Sequence, residues 1–356
     1  MTFLIAAAGT GGHVFPGLAV GEALVELGVS PGSVLFVGGD RIEARVYPEA
    51  GFPFLGLELR GLQRAVTTRN LGLPRLVWRA RDQIVAEIRR RGVRVALGMG
   101  GYVTIPAALA AKKSGVPLLV AEQNAGAGLS NRIASRWAER SFVSFPNTRG
   151  LEKGEWVGNP VRRSLAVFDR QRLRGEALAR YGLDGYSPVL GVFGGSLGAG
   201  VLNIAARDLA ATWTGSPMQI VHLTGEGHDL FPVTNDRVRV EEVVFESRMD
   251  LFYAASDLVV ARAGGGVAEL TATGTPSVLV PGEFGSSGHQ AANAAFLLAA
   301  GAAIVLAQDR IDALPDQVEQ VLFDPERLRA MRRAALGIAK PQAALTIAGA
   351  MLELSP

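Results

Sequence analysis

One stretch of the 356-residue chain, from Val259 to Ala295, sets glycines, a carboxylate and an amide in an order that nucleotide chemistry can use. An apolar run ending in Leu258, Val259 and Val260 turns through Gly264, Gly265 and Gly266 and enters a helix from Val267, with Glu269 in its first turn. A short β-rich run, Ser277–Val280, is followed by a Gly- and Ser-rich loop, and then by His289 and Gln290 opening an Ala-rich helix. Two strand–loop–helix units in tandem bring two helix N-termini to one sheet edge. Their unpaired N–H groups and partial positive charge suit a phosphate or diphosphate. Glu269 would repel phosphate, but a carboxylate accepts in pairs from the vicinal hydroxyls of a ribose. Together these features suggest a nucleoside diphosphate. An ordinary βα turn, with Glu269 as a solvated first-turn acid, explains the same residues, and on this stretch alone both readings stay open.

The second chemical feature is the N-terminal AAAGTGGH, which places His13 in a Gly-rich turn at a strand end. A near-neutral base in that position suits proton transfer. The chain has four histidines (13, 222, 228 and 289); for His222 and His228 a hydrogen-bonded structural role is the simpler expectation. Neither GTGGH nor the later GGSLGAG is a strict G-x-G-x-x-G fingerprint, and no G-x-x-x-x-G-K-[ST] loop occurs, which disfavours a dehydrogenase and an NTPase. There is no Asp-x-Asp, no His-x-x-x-His and no Cys, which disfavours a metal-centred sugar transfer.

These residues need rigid elements to hold them. Hydrophobic content of 48%, with 44 Gly and 18 Pro, fits an ordered α/β protein with many tight βα turns. The absence of cysteine excludes disulfides. MTFLIAAAGTGG lacks a basic leader and reads as a first strand. The longest apolar run, Ala294–Ala307, is 14 residues, too short to span a bilayer, so the chain is expected to be soluble or to lie on a membrane. Net charge is +3, yet ten arginines between Arg60 and Arg94 face only Asp82 and Glu87. So local an excess suggests a docking face and not a nucleic-acid-binding fold.

Strands are expected at Phe3–Ala7, Val34–Val37, Phe54–Leu59, Val93–Gly98, Pro117–Ala121 and, as the last of this half, Ser141–Phe145. Helices are expected at Gly17–Leu27, around Glu43 and Val46, at Pro74–Arg91 with Val77, Ala80, Ile84 and Ile88 on one stripe, and at Ala107–Ser114. Glu122–Asn131 reads as a polar loop, and Val157–Leu165 as a linker. The pattern then restarts with strand Pro188–Phe193, the GGSLGAG turn and helix Val201–Leu209. Alternation of this kind predicts parallel, doubly wound sheets in two Rossmann-like domains, 1–160 and 161–340. A final helix in 341–356 could by its spacing pack on either domain, and a return to the first is the expectation.

Seven segments in order resemble the MurG family: AGTGGHVFPGLAV (8–20), GMGGYVTIPAALAA (98–111), EQNAGAGLSNR (122–132), VGNPVR (157–162), GGSLGA (194–199), RAGGGVAEL (262–270) and GHQAANA (288–294). These are bacterial UDP-N-acetylglucosamine:lipid I N-acetylglucosaminyltransferases of peptidoglycan synthesis. The resemblance implies the GT-B fold, with two Rossmann-like domains and an inter-domain cleft, and an inverting, metal-independent transfer from UDP-GlcNAc with no cofactor. It assigns Glu269 to the ribose, Ser196 with Gly194 and Gly195 to the diphosphate, and Gln290 to the GlcNAc hydroxyls. Arg162, Gly264 and Gly265 line the donor site, and VVFESRM (243–249) reads uracil through its backbone near Phe245 and Glu246. Thr10, Gly11, Gly12 and Asn124 face the sugar and the acceptor, with His13 as the base.

The implied acceptor is lipid I in the membrane. Leu71, Leu73, Arg75, Leu76, Trp78 and Arg79 mix apolar, aromatic and basic side chains as a docking segment for an anionic membrane surface would. The expected place is peripheral, on the cytoplasmic face of the bacterial cell membrane, with further cell-wall synthesis proteins as partners and no nucleic acid. The chain departs from the family pattern at Ala121, where His is usual before EQN, at Leu197, where Gln or Arg is common, and in a turn before Val267 that is one residue shorter. The rival readings are a GT-B enzyme acting on a glycerolipid, a UDP-GlcNAc 2-epimerase, and a non-enzymatic nucleotide-sugar-binding subunit.

Overall fold

A computed structural model describes residues 1–59, 73–226, 234–282 and 288–355, the Leu73 side chain excepted. It divides into two compact units, Met1–Arg163 with Pro341–Pro356, and Ser164–Lys340.

The first unit runs β1 (Thr2–Ala6), α1 (Gly11–Glu26), β2 (Val34–Gly38), α2 (Glu43–Glu49), β3 (Phe54–Gly56), α3 (Leu73–Arg91), β4 (Val93–Gly98), α4 (Thr104–Ser114), β5 (Leu118–Glu122), α5 (Leu129–Ala134), β6 (Arg140–Val143) and β7 (Glu155–Trp156). Its sheet is parallel throughout, in the order β3-β2-β1-β4-β5-β6-β7. Side chains alternate across the sheet, so β1 serves two cores. Phe3 and Ile5 join Phe36, Leu24 of α1 and the C-terminal residues Ile347 and Met351 on one face. Leu4 and Ala6 join Leu35, Ile84, Ile88 and Ala107 on the other. The α3 stripe is buried at Ala80, Ile84 and Ile88 and half-buried at Val77.

Three local expectations are corrected. Helix α1 begins at Gly11 and not at Gly17, with Pro16 inside it. Proline there forfeits one bond, to the Gly12 carbonyl, while burial of Val14, Leu18, Val20 and Leu24 favours the helix. Strand β6 is not the last of its sheet, since the two-residue β7 pairs beyond it. The supposed loop 122–131 closes early into α5.

The second unit contains α6 (Arg163–Ala166, which straddles the boundary), α7 (Arg170–Arg180), β8 (Val189–Phe193), α8 (Gly200–Thr212), β9 (Met218–Leu223), β10 (Val238–Val243), α9 (Met249–Ala255), β11 (Leu258–Ala261), α10 (Gly266–Thr273), β12 (Ser277–Leu279), α11 (His289–Ala299), β13 (Ala303–Val305), α12 (Leu314–Leu322) and α13 (Pro325–Ile338). Its sheet is again parallel, ordered β10-β9-β8-β11-β12-β13. The last helix, α14 (Ala343–Glu353), belongs to the first unit and packs on α1. Each sheet thus winds outward from its first strand, and its order reverses beside that strand, at β1/β4 and at β8/β11. In open α/β sheets ligands bind at such reversals, beyond the strands' carboxyl ends.

Candidate active site

In the second unit the loops after β8 and β11 meet this description. Gly194 must be glycine: a Cβ there would stand 2.4 Å from the Ala199 nitrogen. Gly195 follows at φ +104°, and the Gly198 N–H closes the turn on the Gly195 carbonyl at 2.9 Å. Ser196 is half-buried in this turn and Leu197 is exposed. Gly225, after β9, presses on the same turn, since a Cβ there would lie 2.2 Å from the Gly198 nitrogen. Asn203 of α8 fixes that approach. Its Nδ2 donates to the Thr224 carbonyl (2.9 Å) and its Oδ1 meets His222 Nε2 (3.0 Å), while His222 Nδ1 meets Glu242 (3.1 Å). His222 is therefore a buried structural residue; His228 lies outside the described residues.

Beyond β11, Gly264 and Gly265 lead into α10, whose Gly266 sits against the Phe193 ring. Glu269 is half-buried and accepts from the Tyr253 hydroxyl at 2.9 Å, which fixes its carboxylate at this edge. Gln290 is held equally firmly: its Oε1 accepts from the Gly282 N–H at 2.7 Å. Asn293 on the same helix donates to the Ala263 carbonyl (3.0 Å), tying α11 to the loop that precedes α10. The fold therefore brings Gly194, Gly195, Ser196, Gly264, Gly265, Glu269 and Gln290 to one sheet edge.

Glu246 behaves differently. Its carboxylate accepts from Arg180 (2.7 and 3.1 Å), the Tyr181 hydroxyl (2.8 Å) and the Arg248 N–H (2.7 Å). Burial alone would raise its pKa, but these partners hold it below the usual carboxylate value. The side chain is thus engaged within the protein, which leaves the backbone, beside the partly exposed Phe245, as the part that can meet a ligand.

Helix N-termini supply a further feature. Helices α1, α8, α10 and α11 start with no side-chain cap, whereas α7 and α13 are capped by Asp169 and Asp324. Helices α2, α4, α5, α9, α12 and α14 also lack a side-chain cap, so it is the position of α1, α8, α10 and α11 after strands, at the carboxyl edges, that lets first-turn N–H groups serve an anion.

In the first unit the loops after β1 and β4 are pressed together. A Cβ on Gly101 would lie 2.4 Å from the Ala8 carbonyl oxygen, and one on Gly100 would lie 2.7 Å from His13 Cδ2 and 3.3 Å from Asn131 Nδ2. Thr10 is exposed, Gly11 and Gly12 half-buried, and His13 donates its backbone N–H to the Thr10 carbonyl (3.0 Å) in the first turn of α1. The His13 Nδ1 atom is buried without a hydrogen-bond partner among the described residues. Burial lowers its pKa below the ordinary 6.5, against the pull of Glu122 and Glu43. The imidazole is therefore neutral near pH 7 and able to accept a proton.

Asn124 takes its orientation from Glu122, which accepts from its N–H (3.0 Å) and Nδ2 (3.2 Å), and also from Gly128 N (3.0 Å) and Asn131 Nδ2 (2.8 Å). Gln123 turns inward, bonding the Ala121 carbonyl. Arg162 lies over the Phe15 ring in the first unit, its guanidinium carbon 5.2 Å from the centroid. The next residue, Arg163, pairs with Glu26 of α1. Sequence reasoning missed Gly225, Tyr253, Asn293, Asn131 and Glu43; only Gly225, a glycine just past a strand, carried a local signal.

On α3, Arg75 and Arg79 are exposed, and Trp78 is half exposed with the Arg81 guanidinium 4.0 Å over its ring. Leu76 packs partly on the core. Leu71 and the Leu73 side chain lie outside the described residues.

Residues 3–143 match the glycosyltransferase family 28 N-terminal domain, and residues 189–347 the family 28 C-terminal domain. The chain is 42% identical, over 98% of its length and 97% of the relative's, to a protein of Acidithiobacillus ferrooxidans named UDP-N-acetylglucosamine–N-acetylmuramyl-(pentapeptide) pyrophosphoryl-undecaprenol N-acetylglucosamine transferase. A protein of the same name from Clavibacter sepedonicus is 40% identical over 94% of this chain and 92% of its own. Among solved structures, the crystal structure of Acinetobacter baumannii MurG superposes with a TM-score of 0.76 at 26% identity, covering 99% of both chains. A UDP-GlcNAc 2-epimerase from Neisseria meningitidis, bound to UDP-GlcNAc, reaches 0.70 at 14% identity over 99% of this chain and all of its own, a likeness of fold alone.

Proposed function

The chain belongs to the MurG family of glycosyltransferases, and from that premise we propose how its residues carry out the family's reaction. The protein is a UDP-GlcNAc glycosyltransferase that passes N-acetylglucosamine to lipid I, the lipid-linked N-acetylmuramyl-pentapeptide of peptidoglycan synthesis, giving lipid II. One observation carries this: identity of 42% extends over 98% of the chain, so the edge built around Glu269 and the edge built around His13 both fall within the match.

In the mechanism proposed here, the acceptor 4-hydroxyl attacks the anomeric carbon opposite UDP. A C–O bond to the acceptor forms, the bond to the β-phosphate breaks, and the configuration inverts. Negative charge grows on the leaving diphosphate. The first-turn N–H groups of α8, which starts without a side-chain cap, and the backbone at Gly194 and Gly195 meet that charge, so the protein itself supplies the electrostatic stabilisation. Glu269 takes the ribose hydroxyls, Gln290 the sugar, and the backbone at Phe245–Glu246 the base. Arg162, Gly264 and Gly265 complete the donor contacts, and Thr10, Gly11, Gly12 and Asn124 serve the sugar and the acceptor. The neutral His13 receives the proton that the acceptor hydroxyl loses. Segment 71–79 docks on anionic lipid, which makes the enzyme peripheral on the cytoplasmic face of the membrane.

An acceptor panel tests the assignment. Labelled UDP-GlcNAc is supplied with a short-chain lipid I analogue, with diacylglycerol, or with no acceptor, each with and without EDTA. Transfer to the lipid I analogue alone, undiminished by EDTA, is the expected result. Transfer to the glycerolipid, release of ManNAc, or binding without any turnover would each replace the reading with one of its rivals.

A further inference from the structure

Glu43, at the start of α2, is fully buried, and among the described residues no cation forms an ion pair with it. Its carboxylate is held by neutral donors from three separate loops: the Gly9 N–H after β1 (3.3 Å), the Gly39 N–H after β2 (3.0 Å) and the Tyr102 hydroxyl after β4 (3.2 Å). The fit is close. A Cβ on Gly39 would stand 1.9 Å from the Tyr102 hydroxyl and 3.1 Å from Glu43 Oε1, and one on Gly38 would stand 2.7 Å from Glu43 Cγ. A buried carboxylate without a cation is costly, and three neutral hydrogen bonds offset only part of that cost. Both oxygens accept, Oε2 from Gly9 and Oε1 from Gly39 and Tyr102, so a glutamine would set its amide nitrogen against one of these donors, and the site is shaped for a carboxylate.

Two of the three loops are those that hold His13. Gly9 lies four residues before it, and Gly100, beside Tyr102, sits against its ring. A second carboxylate, Glu122 at the end of β5, is also buried, accepts among the described residues from neutral donors, and likewise acts on His13. Arg41 and Asp40 act on Tyr102 with opposite signs. Around the imidazole, then, buried negative charge awaits a positive partner, and the proton arriving on His13 would create one.

We propose that Glu43 is a positioning residue for the transfer reaction: its carboxylate ties the loops after β1, β2 and β4 around His13 and supplies negative charge against which the imidazolium forms. This rests on His13 being the base. Glu43 takes no proton in the reaction; the proton passes from the acceptor hydroxyl to the imidazole, and the carboxylate steadies the ion that results.

The test compares wild type with Glu43→Gln, Glu43→Asp, Tyr102→Phe and His13→Ala, measuring kcat, the KM for UDP-GlcNAc and the pH dependence of kcat/KM. Glu43→Gln is expected to lower kcat roughly 10–100-fold, with the donor KM within about twofold of wild type. Because Glu43 raises the basicity of His13, the acid limb should move to lower pH in this variant. Glu43→Asp keeps the charge but falls short of the three loops, so it should lower kcat and leave the acid limb in place. It serves as the deciding variant if Glu43→Gln does not fold. Tyr102→Phe removes one bond and no charge, and should also leave the limb unmoved. Wild-type kcat in both Glu43 variants, or an unmoved limb in Glu43→Gln, would overturn the proposal while a crippled His13→Ala left the base intact. A fully active His13→Ala would instead fail the base on which the inference rests.

Discussion

At His13 burial outweighs two nearby carboxylates, and its pKa falls below 6.5. A base must be unprotonated to act, so kcat/KM should hold as pH drops through 6.5 and decline only lower, where the imidazole charges. A pH–rate profile with its acid limb at or above 6.5 would contradict this placement. At Glu269 the loss is different in kind. On the ribose role proposed for it, Glu269→Ala would remove charge-assisted hydrogen bonds to the donor, each worth roughly 1.5–3 kcal/mol. The KM for UDP-GlcNAc should rise by roughly 10–100-fold, the size such an energy implies, and a donor KM within twofold of wild type would dismiss the ribose role. The placement of His13 and Glu269 at strand ends was legible in the chain, because each stands in the first turn of a helix that a Gly-rich turn joins to an apolar run. Glu43 was not. Its partners, Gly9 and Tyr102, are 34 and 59 residues away and meet it only once β2 and β4 have paired on either side of β1.

Among the elements, tight turns and strand starts carry the strain and the charge. Gly225 has φ +83°, and a Cβ there would stand 2.2 Å from the Gly198 nitrogen, so Gly225→Ala should push on the turn proposed for the diphosphate. Weaker UDP binding, measured by calorimetry on protein of unchanged circular dichroism, is the expected outcome; unchanged affinity would detach Gly225 from the site. At the opposite edge of the same sheet, Asp257 accepts from Arg170 (2.5 Å), Arg174 (3.1 Å) and the Val189 N–H (2.9 Å), joining α7 to the starts of β8 and β11. Burial would raise its pKa, yet the two arginines bring it below the ordinary 3.8. A carboxylate so depressed adds stability that is fully present above its unfolded pKa and is lost as pH falls through the folded value. Asp257→Asn should therefore cost about 3 kcal/mol near neutrality, and the gap in denaturant midpoint should narrow only below pH 3.8. A gap that closes between pH 5 and 7 would point to another group. Alternating strand and helix patterns made most of these elements readable. The start of α1 was missed because Pro16 looked like a boundary, although the apolar surface of Val14–Leu24 outweighs one lost hydrogen bond. Strand β7 was missed because two exposed residues have no period to detect.

Over the whole molecule, two sheets of the same winding each reverse order beside their first strand, and the chemically suggestive residues gather at those reversals. The restart of the pattern after residue 187 made this duplication visible in the chain. The return of α14 to α1 rests on apolar surface shared by helices from opposite ends of the sequence, which no local pattern encodes. Residues 325–353 form two helices, α13 and α14, interrupted around Pro341.

In the proposed mechanism GlcNAc passes from UDP to lipid I with the donor held by the edge around Glu269 and the proton taken by His13. The most direct measurement is transfer of labelled GlcNAc to a short-chain lipid I analogue by wild type, His13→Ala and Glu269→Ala, with UDP affinity determined for each. Expected are lipid II formation by wild type, turnover reduced roughly 10²–10⁴-fold in His13→Ala with UDP affinity unchanged, and weakened UDP binding in Glu269→Ala. Loss of UDP binding in His13→Ala with turnover preserved at saturating donor, or full donor affinity in Glu269→Ala, would contradict it.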